Sequence, residues 1–92
     1  MITIKPAQDN PMVLTFDGTV LEVFKMDSSD RIHISLLSGL EIKTDKKGKH
    51  TLDINGFAGY AIQGHPVDNA ALSKINRLIA EIQMAKGAFQ FD

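Results

Sequence analysis

The residues best equipped for chemistry are four lysines, Lys43, Lys46, Lys47 and Lys49, followed directly by His50. Ammonium groups at this density can hold the phosphates of a lipid surface or a nucleic acid, each contact adding a salt-sensitive increment. The same lysines equally suit a solvated hairpin tip, where they keep a strand edge from pairing. Nucleic-acid binding is not expected. It needs a basic face, and 10 Lys and Arg stand here against 11 Asp and Glu, for a net charge of −1.

Other reactive types are scattered. His33, His50 and His65 lie far apart, with no pair at metal-ligand spacing, so no metal site is expected. Asp27, Asp30, Asp45 and Asp53 read as turn residues or exposed strand positions, poor places for a desolvated general base. Ser28, Ser29 and Ser35 lack the strand-to-helix turn that exposes a nucleophile. The segment Asp45-Lys46-Lys47-Gly48-Lys49 has one glycine and no helix after it, unlike a phosphate-cradling loop. The absence of cysteine excludes disulfides and thiolate chemistry. No catalytic residue and no cofactor are expected; the chain reads as a non-enzyme.

The elements that position these residues follow from periodicity. Ninety-two residues, 43% apolar and 23% charged, fit one globular domain, residues 1–92. Ile2 and Ile4 alternate with Thr3 and Lys5, a short edge strand ahead of Pro6 and Pro11. Met12–Phe16 and Thr19–Lys25 flank Asp17-Gly18, the pattern of a hairpin with a two-residue turn. Ile32, Ile34 and Leu36 alternate as a half-buried strand, and Ser38-Gly39 marks a turn or bulge. Leu40 and Ile42 pair across the lysine loop with Leu52 and Ile54. Asn55-Gly56 predicts a second two-residue turn before Phe57–Ile62, and Gly64-His65-Pro66 ends the strands. From about residue 67 to 86, Ala71, Leu72, Ile75, Leu78, Ile79, Ile82 and Ala85 recur at helical steps, opposite Lys74 and Arg77. Asp68 suits the N-cap and Gly87 the residue after the helix, leaving residues 88–92 as a short tail. The fold class is mainly β, antiparallel, six or seven strands, with one C-terminal α-helix that needs a sheet to cover.

In this order the chain resembles a pleckstrin-homology (PH)-like domain of the short bacterial type. The likeness lies in Val13-Leu14-Thr15-Phe16-Asp17-Gly18-Thr19-Val20-Leu21, in Arg31-Ile32-His33-Ile34 leading to Leu40-Glu41-Ile42-Lys43, and in Lys46-Lys47-Gly48-Lys49 before Leu52-Asp53-Ile54. The helix with Ile75, Leu78 and Ile82 completes it, so about residues 12–86 are covered. The resemblance implies a partly open barrel of two nearly orthogonal sheets capped by the helix, and binding or scaffolding in place of catalysis. Lacking tryptophan, this chain would plug the barrel with Leu78 or Ile82. Lipid-binding members use a basic loop between the first two strands. Neither Asp17-Gly18 nor Pro6–Pro11 is basic, so an anionic-surface reading falls to the lysine loop.

The leading expectation is therefore a small interaction or scaffold domain whose partner is another protein or itself. Its contact surfaces would be strand edges and the groove beside the helix. Candidate partner-binding residues are Ile2, Ile4, Phe57, Tyr60, Phe89 and Phe91; Phe89 and Phe91 alternate with polar residues as a strand would. That tail can fold back on the domain, add to another copy as a strand, or remain mobile. The alternative is a peripheral binder of anionic membrane surface through Lys43, Lys46, Lys47 and Lys49. Met1–Pro6 lacks the apolar core of a signal peptide and no long apolar run occurs, which points to the cytoplasm.

Overall fold

The structure is a computed structural model and is described here for residues 1–89. Seven strands form two antiparallel sheets. β1 (Ile2–Ile4), β2 (Val13–Phe16), β3 (Val20–Phe24) and β4 (Ser29–His33) pair in that order; β5 (Leu37–Thr44), β6 (His50–Gly56) and β7 (Ala61–Val67) form the second sheet. The helix α1 (Asn69–Phe89) follows β7 and packs against β1, β5 and the helical turn Ile34–Leu36 that joins the sheets. The sheets do not close into a barrel.

Alternation explains the first sheet. Leu14, Phe16, Leu21, Val23 and Ile32 all point inward and are buried, in register Leu14↔Val23, Phe16↔Leu21 and Leu21↔Ile32. From the second sheet come Leu37, Leu52 and Ile54, and from α1 come Ala71, Ile75, Leu78 and Ile82. Every residue of the expected helical stripe is buried or half-buried. A helix with one wide apolar face gains its stability from that packing, not from intrinsic propensity.

Several boundaries differ from expectation, each for a local reason. The Asp17 turn is shifted by one residue: Gly18 takes φ 102°, while Asp17 uses its carboxylate to accept from the N–H groups of Thr19 (2.9 Å) and Val20 (2.8 Å). Asn55-Gly56 is not a two-residue turn. β6 runs through Gly56, and a helical turn, Phe57–Gly59, reverses the chain with Gly59 at φ 81°. Gly56 carries no positive φ, and a Cβ there would meet the Tyr60 ring at 3.4 Å, an ordinary van der Waals contact.

The strand expected through Ile34 and Leu36 stops at His33. There the ring Nδ1 accepts from the Ser35 N–H, a local bond that competes with the ladder. Gly64-His65-Pro66 lies within β7 instead of ending it. The helix begins at Asn69, not 67, and passes through Gly87, which carries no positive φ. Glycine permits a helix end but does not impose one; inside a helix it costs only about 1 kcal/mol relative to alanine. Asp68 stands at the expected capping position, with the Ala71 N–H on its carbonyl. Its carboxylate, however, reaches across to the Gln8 N–H at 2.6 Å, tying the β1–β2 loop to the helix start.

Candidate functional site

The lysine cluster is split by the fold. Lys43 lies 2.9 Å from Asp53, whereas Lys46, Lys47 and Lys49 stand exposed at the β5–β6 tip. The tip is held by Asp45, whose Oδ1 accepts from the N–H groups of Lys47 (2.8 Å) and Lys49 (2.9 Å), with Gly48 at φ 81°. This is the Asp17 turn chemistry used again.

Asp53 was expected on an exposed face and is buried. Opposite it β7 carries two residues, Gln63 and Gly64, because the register shifts between Leu52↔His65 and Ile54↔Ile62. Gly64 takes φ 69° and donates its N–H to Asp53 at 2.8 Å. That bond, then the Lys43 ammonium, holds the Asp53 carboxyl below the usual carboxylate range, and Asp53 in turn raises Lys43. The group is an ion-paired pin for a β-bulge, with one contact on each carboxylate oxygen.

A second polar cluster joins the sheets. The Tyr60 hydroxyl donates to Asp30 at 3.1 Å, and Lys25 contacts the same carboxylate at 2.7 Å. Lys25, then Tyr60, lowers Asp30; burial first, then the hydrogen bond to Asp30, pushes Tyr60 up to about 12. Beside it Phe57 (71% exposed) and Leu36 (47%) form a small apolar surface. Ile4 is a core residue and Ile2 packs against the core, so β1 offers a partner only its backbone edge. Phe89 is helical, not part of a strand. Phe91 lies outside the described residues.

His50 Nδ1 lies 2.8 Å from the Thr44 hydroxyl; His65 Nδ1 donates to the Pro66 carbonyl, and its buried Nε2 has no partner among the described residues. Burial lowers the His65 pKa. Among the described residues no cluster of His, Asp or Glu assembles that could hold a metal, and no helix is long and apolar enough to cross a membrane.

The feature that sequence reasoning named only generally is the groove between β5 and α1. Leu37–Leu40 form one wall and Ile79, Ile82, Gln83, Lys86 and Gly87 the other, around a volume of about 290 Å³. Lys86 donates to the Leu37 carbonyl and so ties the helix to the strand. β5 is an edge strand, and its open groups can be identified. The Asp45 N–H bonds the Lys49 carbonyl, and the register pairs Lys43↔Thr51 and Glu41↔Asp53. Hydrogen-bonded positions alternate in an antiparallel ladder. Those of Lys43 and Glu41 therefore face β6, and the N–H and C=O groups of Leu40, Ile42 and Thr44 face outward. The same count on β7 turns the nitrogen of Pro66, opposite Thr51, outward. That edge has lost a donor.

No family model, curated protein or solved structure matches the chain.

Proposed function

We propose that this chain is a small non-enzymatic interaction domain of PH-like architecture, which takes an extended polypeptide segment along the β5 edge beside α1. The observation that carries the reading is the coincidence of two features at one place. An outward row of backbone donors and acceptors adjoins an apolar groove, the arrangement from which an added strand draws affinity and side-chain selectivity. The non-enzymatic part is supported by the acids: Asp53, which is buried, and Asp30, which is half-buried, are both committed to structural ion pairs.

Selection of random displayed peptides on the immobilised domain tests the reading. Bound peptides should lose affinity on Thr44→Pro, which deletes one outward donor, and on Gln83→Trp, which fills the groove from an exposed position. Binders indifferent to both changes would place the docking surface elsewhere.

The alternative, a peripheral binder of anionic membranes, keeps one favourable observation: Lys46, Lys47 and Lys49 form no ion pair among the described residues. Sedimentation with phosphatidylserine vesicles at low and high salt decides it, since binding through three exposed lysines must fall with screening.

A further inference from the structure

We propose that the occupant of the β5 edge is a second copy of this chain, paired strand to strand about a two-fold axis through Ile42. The inference rests on the reading of β5 as the docking edge and adds to it a partner and a register.

The outward groups belong to alternate residues, Leu40, Ile42 and Thr44. A symmetric antiparallel pairing must set such residues opposite one another, so the axis has to fall on a residue of the strand and not between two. Charge then selects which residue. An axis on Glu41 sets Glu41 against Glu41, and an axis on Lys43 sets Lys43 against Lys43; like charges directly opposite are destabilising. An axis on Leu40 runs the partner over the bulge between Leu37 and Gly39. One on Thr44 sets Ile42 against Lys46, beyond the strand end.

The axis on Ile42 avoids all four faults. Ile42 meets Ile42 and Leu40 meets Thr44 as hydrogen-bonded positions, each exchanging its N–H···O=C bonds. Glu41 meets Lys43 on both sides of the axis. Those are the non-hydrogen-bonded positions, where facing side chains come closest.

Glu41 has reason to seek that contact. Within the chain it lies opposite Asp53 and makes no ion pair among the described residues. Lys43 holds Asp53 yet leaves 63% of its side chain exposed, room for a second carboxylate. Three strands from each copy would then form one continuous sheet, and each partner's Asp45–Lys49 tip would run toward the groove between β5 and α1.

The test uses the full chain, whose lack of cysteine makes a single introduced thiol diagnostic. Sedimentation should show a monomer–dimer equilibrium that weakens with salt. Glu41→Lys should raise the dimer dissociation constant by about tenfold, with circular dichroism showing the fold retained. On mild oxidation Ile42→Cys should give a covalent dimer, since Cα atoms at a hydrogen-bonded pair stand about 5.5 Å apart, within disulfide reach. Thr44→Cys should not, because its two copies lie roughly 13 Å apart in this register.

A wild-type chain that stays monomeric at the highest attainable concentration overturns the proposal. So does Glu41→Lys dimerising as tightly as wild type, or Thr44→Cys cross-linking as readily as Ile42→Cys. If displayed peptides still bind a monomer in a manner sensitive to Thr44→Pro, the docking edge stands and only the self-pairing fails; if they do not, both readings fall.

Discussion

The two edges of the second sheet, β5 and β7, belong to one hairpin stack yet meet solvent on opposite terms. β5 presents three successive outward residues, Leu40, Ile42 and Thr44, each with its N–H and carbonyl available. β7 interrupts its edge twice: Gln63 and Gly64 form the bulge over Asp53, and Pro66 puts a nitrogen without hydrogen where a donor would stand. Prolines and bulges are the means by which sheets keep edges from recruiting strands. The protein closes one edge by backbone chemistry and leaves the other open beside an apolar groove. That contrast between the two edges is the support for the proposed docking along β5.

The largest expected effect is common to both edges. Leu78→Ala empties a fully packed site between α1 and the sheets and should cost about 2–5 kcal/mol, whereas exposed Lys74→Ala should stay within about 0.5 kcal/mol. Urea melts check this, and equal midpoints would mean that α1 does not staple the sheets.

Gly64→Ala separates the edges. At φ 69° a side chain is strained, and the cost should be about 1 kcal/mol. Hydrogen exchange should show the loss concentrated in β6 and β7, with β1–β4 protection little changed. Uniform loss would show that the bulge is not a local device.

Pro66→Ala should restore an outward N–H to β7 and convert the guarded edge into a second pairing edge. Light scattering should then reveal species larger than those of the wild-type chain. No change would mean that the bulge alone guards β7.

Acid sharpens the β7 side through His65. Burial holds its folded-state pKa below 6.5, so the unfolded chain binds more protons in that range. The stability it contributes is complete above pH 6.5 and is lost as pH falls through the lowered value. His65→Gln should flatten that slope in melts. Asp17, Asp30 and Asp53, all lowered, act in a separate window below 3.8.

The smallest effect is spectroscopic. The lone tyrosine, Tyr60, should ionise near 12 in the folded chain, and stability should fall as pH rises from 10.0 toward that value. Asp30→Asn should lower the midpoint part-way, because burial remains. A midpoint already at 10.0 would show that the contact between the sheets does not form.

Much of the frame is legible in the sequence. Leu14, Phe16, Leu21 and Val23 alternate because one face is buried, and Ile75, Leu78 and Ile82 recur at helical spacing for the same reason. Ser38-Gly39 signalled a turn or a bulge, and the structure places a shift of register there. Glycine was the weaker guide. Gly18 fell one place from its expected turn position, Gly56 ends a strand instead of making a turn, and Gly87 stays helical, because glycine permits several conformations and neighbours choose among them. The site was less legible. Asp53 looked like an exposed strand acid because nothing nearby in sequence announces that Gly64, eleven residues on, will donate to it.

Sequence by itself determined the elements and the apolar faces, since both follow from side-chain period along a single strand or helix. Tertiary structure alone decided which backbone groups remain unpaired. Whether Ile42 or Glu41 turns its N–H outward depends on the ladder register with β6, and whether Pro66 blocks a bond depends on the register with β7. The groove, too, exists only once α1 is laid against β5 and Lys86 reaches the Leu37 carbonyl across forty-nine residues of chain. Pairing between distant segments is a relation, and no single segment carries it.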